Sequence, residues 1–296
     1  MKLKVWFLET RPQFLTLSIV LAFLGTAIAW YSGYFHLGHA LLAGIGLVIA
    51  HISVNTFNDY FDYRSGVDLA TNRTPFSGGS GILNARLLST GQVLGMGIVS
   101  FLLAVAIGVY FVLTSGWQLL PLLVITAFFI LLYSPLILKQ HYPEWVAGAG
   151  LGAFPVLGMF FVQTGAYTLP AVIASIPSVL LVHNLLLLNE FPDTEADRIA
   201  NRKTLPITIG KDRAAIFYTV VALAVYAWII GWVAAGVMPI WTLLGLLTLP
   251  FSIKAINGAR HHYDASRLMP ALAANVMVVL LTQLLIGIGY ILARAL

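Results

Sequence analysis

The sequence predicts an all-α fold: a polytopic bundle of about nine membrane-spanning helices, forming one integral-membrane domain over residues 1–296. Three observations lead there. The chain is 59% hydrophobic and only 9% charged, where a soluble domain carries about 25% charged residues, and the deficit runs along its whole length. Its apolar segments are continuous over the roughly 20 residues that a helix needs to cross a bilayer. They do not alternate over ~10 residues, as barrel strands do. Finally, the charges fall almost entirely between alternate segments. With no cysteine in the chain, disulfides, thiolate metal sites and cysteine nucleophiles are excluded.

The elements follow in order. The opening "MKLKVWFLETRPQFLTLSIV" is not a secretory signal, because Glu9, Arg11 and Pro12 precede the apolar run and no small-residue cleavage site follows it. It reads as a short interfacial helix leading into the first span. The spans are expected at 13–35, 38–58, 93–114, 118–138, 145–164, 169–190, 214–235, 238–256 and 270–293. With the N-terminus inside, the inner segments are the N-terminal stretch and the loops near 59–92, 139–144, 191–213 and 254–269. Of 16 Lys and Arg, 15 then lie inside and only Arg294 outside. Such a bias marks the cytoplasmic face, so the net charge of +5 reports topology and not a nucleic-acid partner. All 11 acids lie on that same face, which the charge rule does not require. One face is chemically equipped; the other is a set of nearly chargeless turns.

A weak internal repeat organises the polar face. Asn58-Asp59-Tyr60-Phe61-Asp62 matches Asn189-Glu190-Phe191-Pro192-Asp193: Asn, acid, aromatic, any residue, Asp. Downstream, Arg73-Thr74-Pro75 echoes Lys203-Thr204-Leu205-Pro206; upstream lie His51 and His183. The copies end the second and sixth spans, and a shift of four spans keeps orientation, so the repeat is parallel. Asn58/Asp62, Asn189/Asp193 and Asp193/Asp197 are each four residues apart, which puts both members on one helix face. Hard oxygen ligands without cysteine suit Mg²⁺, which takes one or two carboxylates and fills its shell with phosphate and water. Two such clusters face to face would hold two ions around a diphosphate. Arg64, Arg73, Lys139, Arg202 and Lys203 would neutralise its remaining charge. The run "PFSGGSG" (75–81) offers backbone N–H groups, a lid or a plain linker.

At these residues the sequence resembles the UbiA-type membrane prenyltransferases, which carry N-D-x-x-D-x-x-x-D after the second helix and D-x-x-x-D after the sixth. The second motif is intact as Asp193-Thr194-Glu195-Ala196-Asp197. In the first, Asn58, Asp59 and Asp62 are in place, but Gly66 stands where the third Asp is expected and the acid arrives at Asp68. That form, followed by "GGSG", is similar to the menaquinone branch, whose members prenylate 1,4-dihydroxy-2-naphthoate. Arg11-Pro12 and "YSPLILK" with Glu144 are further family-like marks. The resemblance implies a helical bundle with a cavity open to the cytoplasm and laterally to lipid. It implies Mg²⁺, as two ions, on Asn58, Asp62, Asp193 and Asp197, and a polyprenyl diphosphate donor. It also implies catalysis through Asp59, Asp62, Asp193 and Asp197, within active-site loops near 59–92 and 191–213. Arg11, Asn55, Asn58, Arg64, Asp68, Arg73, Tyr133, Lys139, Asn189, Arg202 and Lys203 would bind diphosphate or substrate. The acceptor is an aromatic ring: 1,4-dihydroxy-2-naphthoate, or else 4-hydroxybenzoate, homogentisate or a chlorophyll-like ring, with glycerol phosphate a non-aromatic alternative. The setting implied is a prokaryotic cell membrane, with no obligate protein partner.

Plainer readings compete. Arg86, Lys211, Asp212, Arg213 and Lys254 read as interfacial anchors; His51 and His183 as packed helix residues; the histidines of 259–267 as solvated. A secondary transporter also shows repeats and membrane-end carboxylates. Against it stand acids at the cytoplasmic end rather than the midplane, no polar opening on the outer face, and basic residues beside paired Asp motifs.

Overall fold

The structure, a computed structural model, describes residues 2–71, 73–74, 78–261 and 264–296. Among the described residues no strand forms. The short interfacial helix is α1 (Lys2–Glu9), followed by α2 (Pro12–Tyr31), α3 (Leu37–Ser65), a single turn α4 (Val67–Ala70), α5 (Thr90–Ser115) and α6 (Leu120–Leu132). Next come α7 (Pro143–Gly148), joined through one π-helical turn to α8 (Phe154–Thr164), then α9 (Leu169–Ile199), α10 (Leu205–Ile209), α11 (Lys211–Ala234), α12 (Leu249–His261) and α13 (Ala265–Ala295).

Among the described residues, eight helical stretches are long and apolar enough to cross a membrane, and Trp117–Leu132 is a shorter ninth apolar helix. The chain is therefore an integral membrane protein. The ninth is short because α6 itself has 13 residues, about 20 Å at 1.5 Å per residue against a ~30 Å hydrocarbon core. The eighth expected span begins as a 3-10 helix, Ile240–Thr248, before α12, and the tighter winding rises ~2 Å per residue.

Bilayer lipid is as apolar as leucine, so these helices are joined by close packing and not by escape from water. A Cβ on Gly25 would stand 2.5 Å from the Val156 carbonyl oxygen, which is how closely α2 and α8 approach. The main core sets Leu21, Leu24 and Ile28 of α2 against Phe160 of α8, Leu181 of α9 and Ile286 of α13. A second core packs Leu187 and Phe191 of α9 on Tyr218 of α11 and Leu272 of α13. The membrane stretch of α9 is 67% buried and that of α5 only 11%, so α9 is the central helix and α5 faces outward.

The structure differs from the expected spans at two ends that matter. The apolar runs stop at 58 and 190, but α3 continues to Ser65 and α9 to Ile199. Hydropathy reads the solvent around a helix, whereas backbone hydrogen bonds continue past the lipid boundary. The acidic motifs therefore sit on continuous helix, which preserves their four-residue spacing on one face. Gly66, at φ 80°, ends α3. Asn201, at φ 56°, ends α9. There the Arg202 N–H donates to the Asp197 carbonyl at 3.0 Å and the Asn201 N–H to that of Arg198 at 3.1 Å, the paired bonds of a Schellman turn.

Candidate active site

A cavity of about 560 Å³ lies within the bundle. Most of its wall is apolar, with Phe101, Val112, Phe129, Phe154, Met159 and Leu280 among the lining residues. One part is polar and is built from the ends of α3 and α9 and the segments beside them. Asn58, Asp62, Asp68, Asn189, Asp193 and Asp197 all line it, as do Arg11, Asn55, Tyr133 and Arg202.

The α3 end is tightly tied. Asn58 Nδ2 donates to Asp62 Oδ2 and to Ser134 Oγ, each at 3.1 Å, so the expected i, i+4 pair does meet on one face. Arg11 Nη1 donates to Asn58 Oδ1 at 3.2 Å and lies 3.5 Å from Asp59 Oδ1. It gets there because the chain turns into the left-handed region at Arg11 (φ 53°) before Pro12 opens α2, and Asn55 Nδ2 holds that turn through the Thr10 carbonyl at 2.9 Å. Asp59 is buried and accepts the Ser80 N–H at 2.8 Å. Ser80 Oγ in turn donates to Glu9 Oε2 at 2.8 Å. Gly79 is required here: its φ is 69° and a Cβ would stand 2.9 Å from Asp68 Oδ2. Asp68, two residues beyond the position expected for a third acid, thus reaches the same carboxylate group. Burial first, then Asp62 and Asp59, push its pKa up to about 7. Burial and then Asp59 push Glu9 up to about 8.

The α9 end is organised by a cation. The Schellman turn returns Arg202 over its own helix, where Nη1 donates to Asp197 Oδ1 at 2.8 Å. Its Nη2 donates across to Asp62 Oδ1 on α3. Burial disfavours the charge of Arg202, but Asp62 and Asp197 more than offset this and hold its pKa above the ordinary value. One guanidinium therefore joins the two acidic helix ends. Asp193 faces the cavity one turn before Asp197.

Other expected site residues lie elsewhere. Arg64 is exposed and donates to Tyr60 Oη at 3.0 Å on its own helix. Lys139 and Lys203 are exposed and do not line the cavity, although the Lys203 N–H bonds the Leu138 carbonyl at 3.0 Å. Arg73 is exposed, and its Nε donates to the Gly79 carbonyl at 3.2 Å, bracing the glycine turn. Pro75 and the next two residues of the Gly-rich run, and His262 of the 259–267 loop, lie outside the described residues. His51 is buried against Ser18 Oγ at 2.8 Å, and His183 beside Asn184 Oδ1 at 3.2 Å. Arg86, Asp212, Arg213 and Lys254 are exposed and Lys211 partly so.

Five residues of the polar region were not singled out from sequence as site residues: Glu9, Ser80, Ser134, Glu190 and Thr204. Glu190 carried a signal, since it is the acid that matches Asp59 in the repeat. Ser134 sits beside Tyr133. Thr204 belongs to the downstream echo of the expected repeat, and Ser80 to the Gly-rich run read as a source of backbone N–H groups, one of which it gives to Asp59; Glu9 carried no signal that a single chain discloses.

Among the described residues no three His, Asp or Glu side chains form a ready-made metal cage. The donor set still fits Mg²⁺: carboxylates from two helices face each other across a gap that Arg202 bridges as a cation. An ion that takes most of its ligands from phosphate and water needs only one or two of them.

The pattern of the UbiA prenyltransferase family matches residues 18–293. A Bacillus subtilis protein described as 1,4-dihydroxy-2-naphthoate octaprenyltransferase is 27% identical over 287 residues, covering 96% of this chain and 91% of that protein. The fold is similar to the apo structure of a UbiA homolog from Aeropyrum pernix, with a TM-score of 0.72, 20% identity, and 95% and 98% of the two chains covered. It is also similar to a UbiA homolog from Archaeoglobus fulgidus bound to DMAPP and Mg²⁺, with a TM-score of 0.60, 14% identity, and 98% and 99% covered.

Proposed function

The chain belongs to the UbiA prenyltransferase family, and on that premise we propose that it transfers a polyprenyl group from a polyprenyl diphosphate to 1,4-dihydroxy-2-naphthoate, using Mg²⁺. The observation that carries the reading is the meeting of two acid-and-amide helix ends, bridged by Arg202, at the polar part of an otherwise apolar cavity. A polyprenyl diphosphate has the same division, a small multiply charged head on a long hydrocarbon.

Asn58, Asp62, Asp193 and Asp197 would hold Mg²⁺, as two ions, which would supply stabilisation of the charge growing on the leaving diphosphate. Arg202, which lies on Asp62 and Asp197, is placed where its guanidinium would also reach the phosphate oxygens of a bound diphosphate, a group it can bind in bidentate fashion. Arg11 stays on Asn58 and Asp59 and keeps the first cluster in register. Tyr133 and the aromatic wall line the place where allylic charge develops, and the apolar cavity keeps water from it. The donor tail leaves through the bundle toward lipid, into which it partitions at about 0.8 kcal/mol per CH₂. The charge bias sets this face in the cytoplasm, and the two motifs are copies of one parallel repeat within a single domain.

The naphthoate acceptor is supported by the Bacillus subtilis relative's description and by the shifted acid at Asp68. The experiment is transfer by detergent-solubilised protein, with Mg²⁺, radiolabelled prenyl diphosphates of graded length, and a panel of naphthoate, benzoate, homogentisate and glycerol phosphate acceptors. Lipid-soluble product that needs Mg²⁺ and the naphthoate is expected. Full activity in EDTA sinks the metal role, and preference for another acceptor sinks the naphthoate.

A further inference from the structure

Donor binding does not account for one cluster of buried polar atoms. Tyr133 after α6, Glu144 on α7, Glu190 on α9 and Thr204 before α10 come from four separate elements. Tyr133 Oη, Glu144 Oε2, both carboxyl oxygens of Glu190 and Thr204 Oγ1 are all buried and receive no hydrogen bond from an N–H or O–H of the chain, and the Glu144 and Glu190 carboxyls stand within hydrogen-bond reach of each other, where one proton can be shared and one charge kept. Glu190 exposes 4% of its surface and Thr204 1%, and both line the cavity together with Tyr133. Glu144 stands behind them. Its Oε1 accepts the Leu205 N–H at 2.5 Å, and its carboxyl group neighbours that of Glu190. Tyr133 neighbours both carboxyls.

Native proteins rarely leave buried polar atoms unpaired, and a cluster of them at one cavity wall calls for a partner from outside the chain. The chemistry of the wall selects that partner. Two adjacent carboxyls repel a phosphate or carboxylate group placed against them, so they disfavour a diphosphate or a glycerol phosphate, and of a naphthoate they suit a ring hydroxyl and not its carboxylate. A hydroxyl suits all of it, donating to Glu190 while accepting from Tyr133 or Thr204. We propose that Glu190, backed by Glu144 and flanked by Tyr133 and Thr204, seats a hydroxyl of the aromatic acceptor and takes its proton as the ring attacks. This deepens the prenyl-transfer reading and rests on it.

The step balances. The acceptor O–H bond breaks and its proton goes to the Glu190 carboxylate, while the oxygen electron pair feeds the ring. The ring carbon forms a bond to carbon 1 of the prenyl chain, whose C–O bond breaks with its pair leaving on diphosphate. The resulting ring ketone releases the proton, or the carboxyl group as CO₂, at the substituted carbon. Its oxygen then recovers the proton from Glu190. Glu144 is a positioning residue: tied to the Leu205 N–H, it fixes the approach of Glu190 without touching the acceptor.

The test uses the full chain in detergent with Mg²⁺, radiolabelled geranyl diphosphate, a dihydroxyaromatic acceptor and its two mono-O-methyl ethers. In Glu190→Gln, geranyl diphosphate binding stays within about twofold of wild type while kcat falls about 100-fold or more, the scale of a lost general base. Glu190→Asp recovers part of the rate. One of the two ethers, blocked at the seated hydroxyl, is inert with wild type. Thr204→Val, a near-isosteric change, raises the acceptor KM several-fold and leaves the donor KM unchanged. Transfer by Glu190→Gln within about threefold of wild type overturns the proposal, as does equal use of both ethers or an unchanged acceptor KM in Thr204→Val. Those outcomes leave donor binding standing. Wild type that binds no geranyl diphosphate with Mg²⁺ overturns the donor reading and this proposal together.

Discussion

Asp59 and Glu190 hold matching places on two helices. Each follows an asparagine, each precedes an aspartate by three residues, and each is buried near the polar end of a long apolar helix. Their surroundings are opposite. Asp59 takes the Ser80 N–H on one oxygen and faces Arg11 with the other. Neither Glu190 oxygen receives an N–H or a cation from the chain, and its neighbour within hydrogen-bond reach is a second carboxyl, that of Glu144. The difference comes from the chain segments that cover each helix end. The turn into α2 and the glycines at 78–81 supply α3 with a cation and a backbone donor. The segment after α9 gives its cation, Arg202, to Asp62 and Asp197 instead. The same motif position therefore fixes the chain at one end and stays available to a ligand at the other.

The strongest break in that comparison comes from the residues both ends share. Asp62→Ala and Asp193→Ala each remove a carboxylate from the proposed ion pair. Transfer is expected to fall at least about 1,000-fold, beyond the 10²–10⁴ range's lower part for a single proton-transfer group, and Mg²⁺-dependent donor binding is expected to weaken with it. Transfer assays and a geranyl diphosphate binding isotherm check this. Either variant at full activity removes the metal site from that helix end.

Next in size is the link between the ends. Arg202→Ala leaves Asp62 and Asp197 facing each other without a cation. Removing one partner of a buried ion pair costs about 3–5 kcal/mol, so the ligand-free protein is expected to melt several degrees lower. Mg²⁺ with a prenyl diphosphate restores most of the loss, because ions that bind the native state replace the missing charge. A melting deficit that the ligands do not narrow means that Arg202 does not stand where the ions bind.

Much of this was legible in the sequence, for physical reasons. Continuous apolar runs disclosed the helices, and the four-residue spacings brought Asn58 onto Asp62 as expected. The resemblance pointed to Arg11 and Tyr133, and the placing of cations beside the acidic clusters to Arg202, and all three line the cavity. What was not legible depends on the path of the chain after each helix. Glu9 reaches the site only because Ser80 folds back over α3. Arg202 was one of several cations of equal standing, and only the left-handed turn at Asn201 singles it out. That Glu190 meets another carboxyl and no cation is a property of four converging elements, and no local pattern encodes it.

Glu9 gives a smaller effect that sharpens the α3 side. Its carboxyl is raised from 4.5 to about 8 by burial and then by Asp59, so the folded state favours the neutral form. Its contribution to stability is complete below pH 4.5 and is lost as pH rises toward 8. Glu9→Gln keeps an acceptor for Ser80 and removes the titration. The variant is expected to match wild type at pH 5 and to melt above it at pH 9. A difference in melting temperature that is constant across that range means Glu9 is charged throughout.

The smallest effect belongs to the cations that the structure keeps away from both ends. Arg64 is exposed and spends its guanidinium on Tyr60, one turn back on α3; Lys139 and Lys203 are exposed and absent from the cavity wall. An exposed cation on a flexible stem contributes through a screened field, and pairs of that kind are worth about 0–1 kcal/mol. Arg64→Ala, Lys139→Ala and Lys203→Ala are therefore each expected to hold kcat within about twofold and to raise the donor KM by no more than about fivefold. Raising the salt concentration should erase even that, since exposed charges act only within a Debye length of ~10 Å at 0.1 M. Arg202 provides the contrast, because its buried contacts to two carboxylates are little screened. A loss of 100-fold in any of the three, persisting at 0.5 M salt, means that the segment carrying it closes over the diphosphate when substrate binds. In that event the α9 end is covered as thoroughly as the α3 end, and the contrast between Asp59 and Glu190 belongs to the ligand-free protein alone.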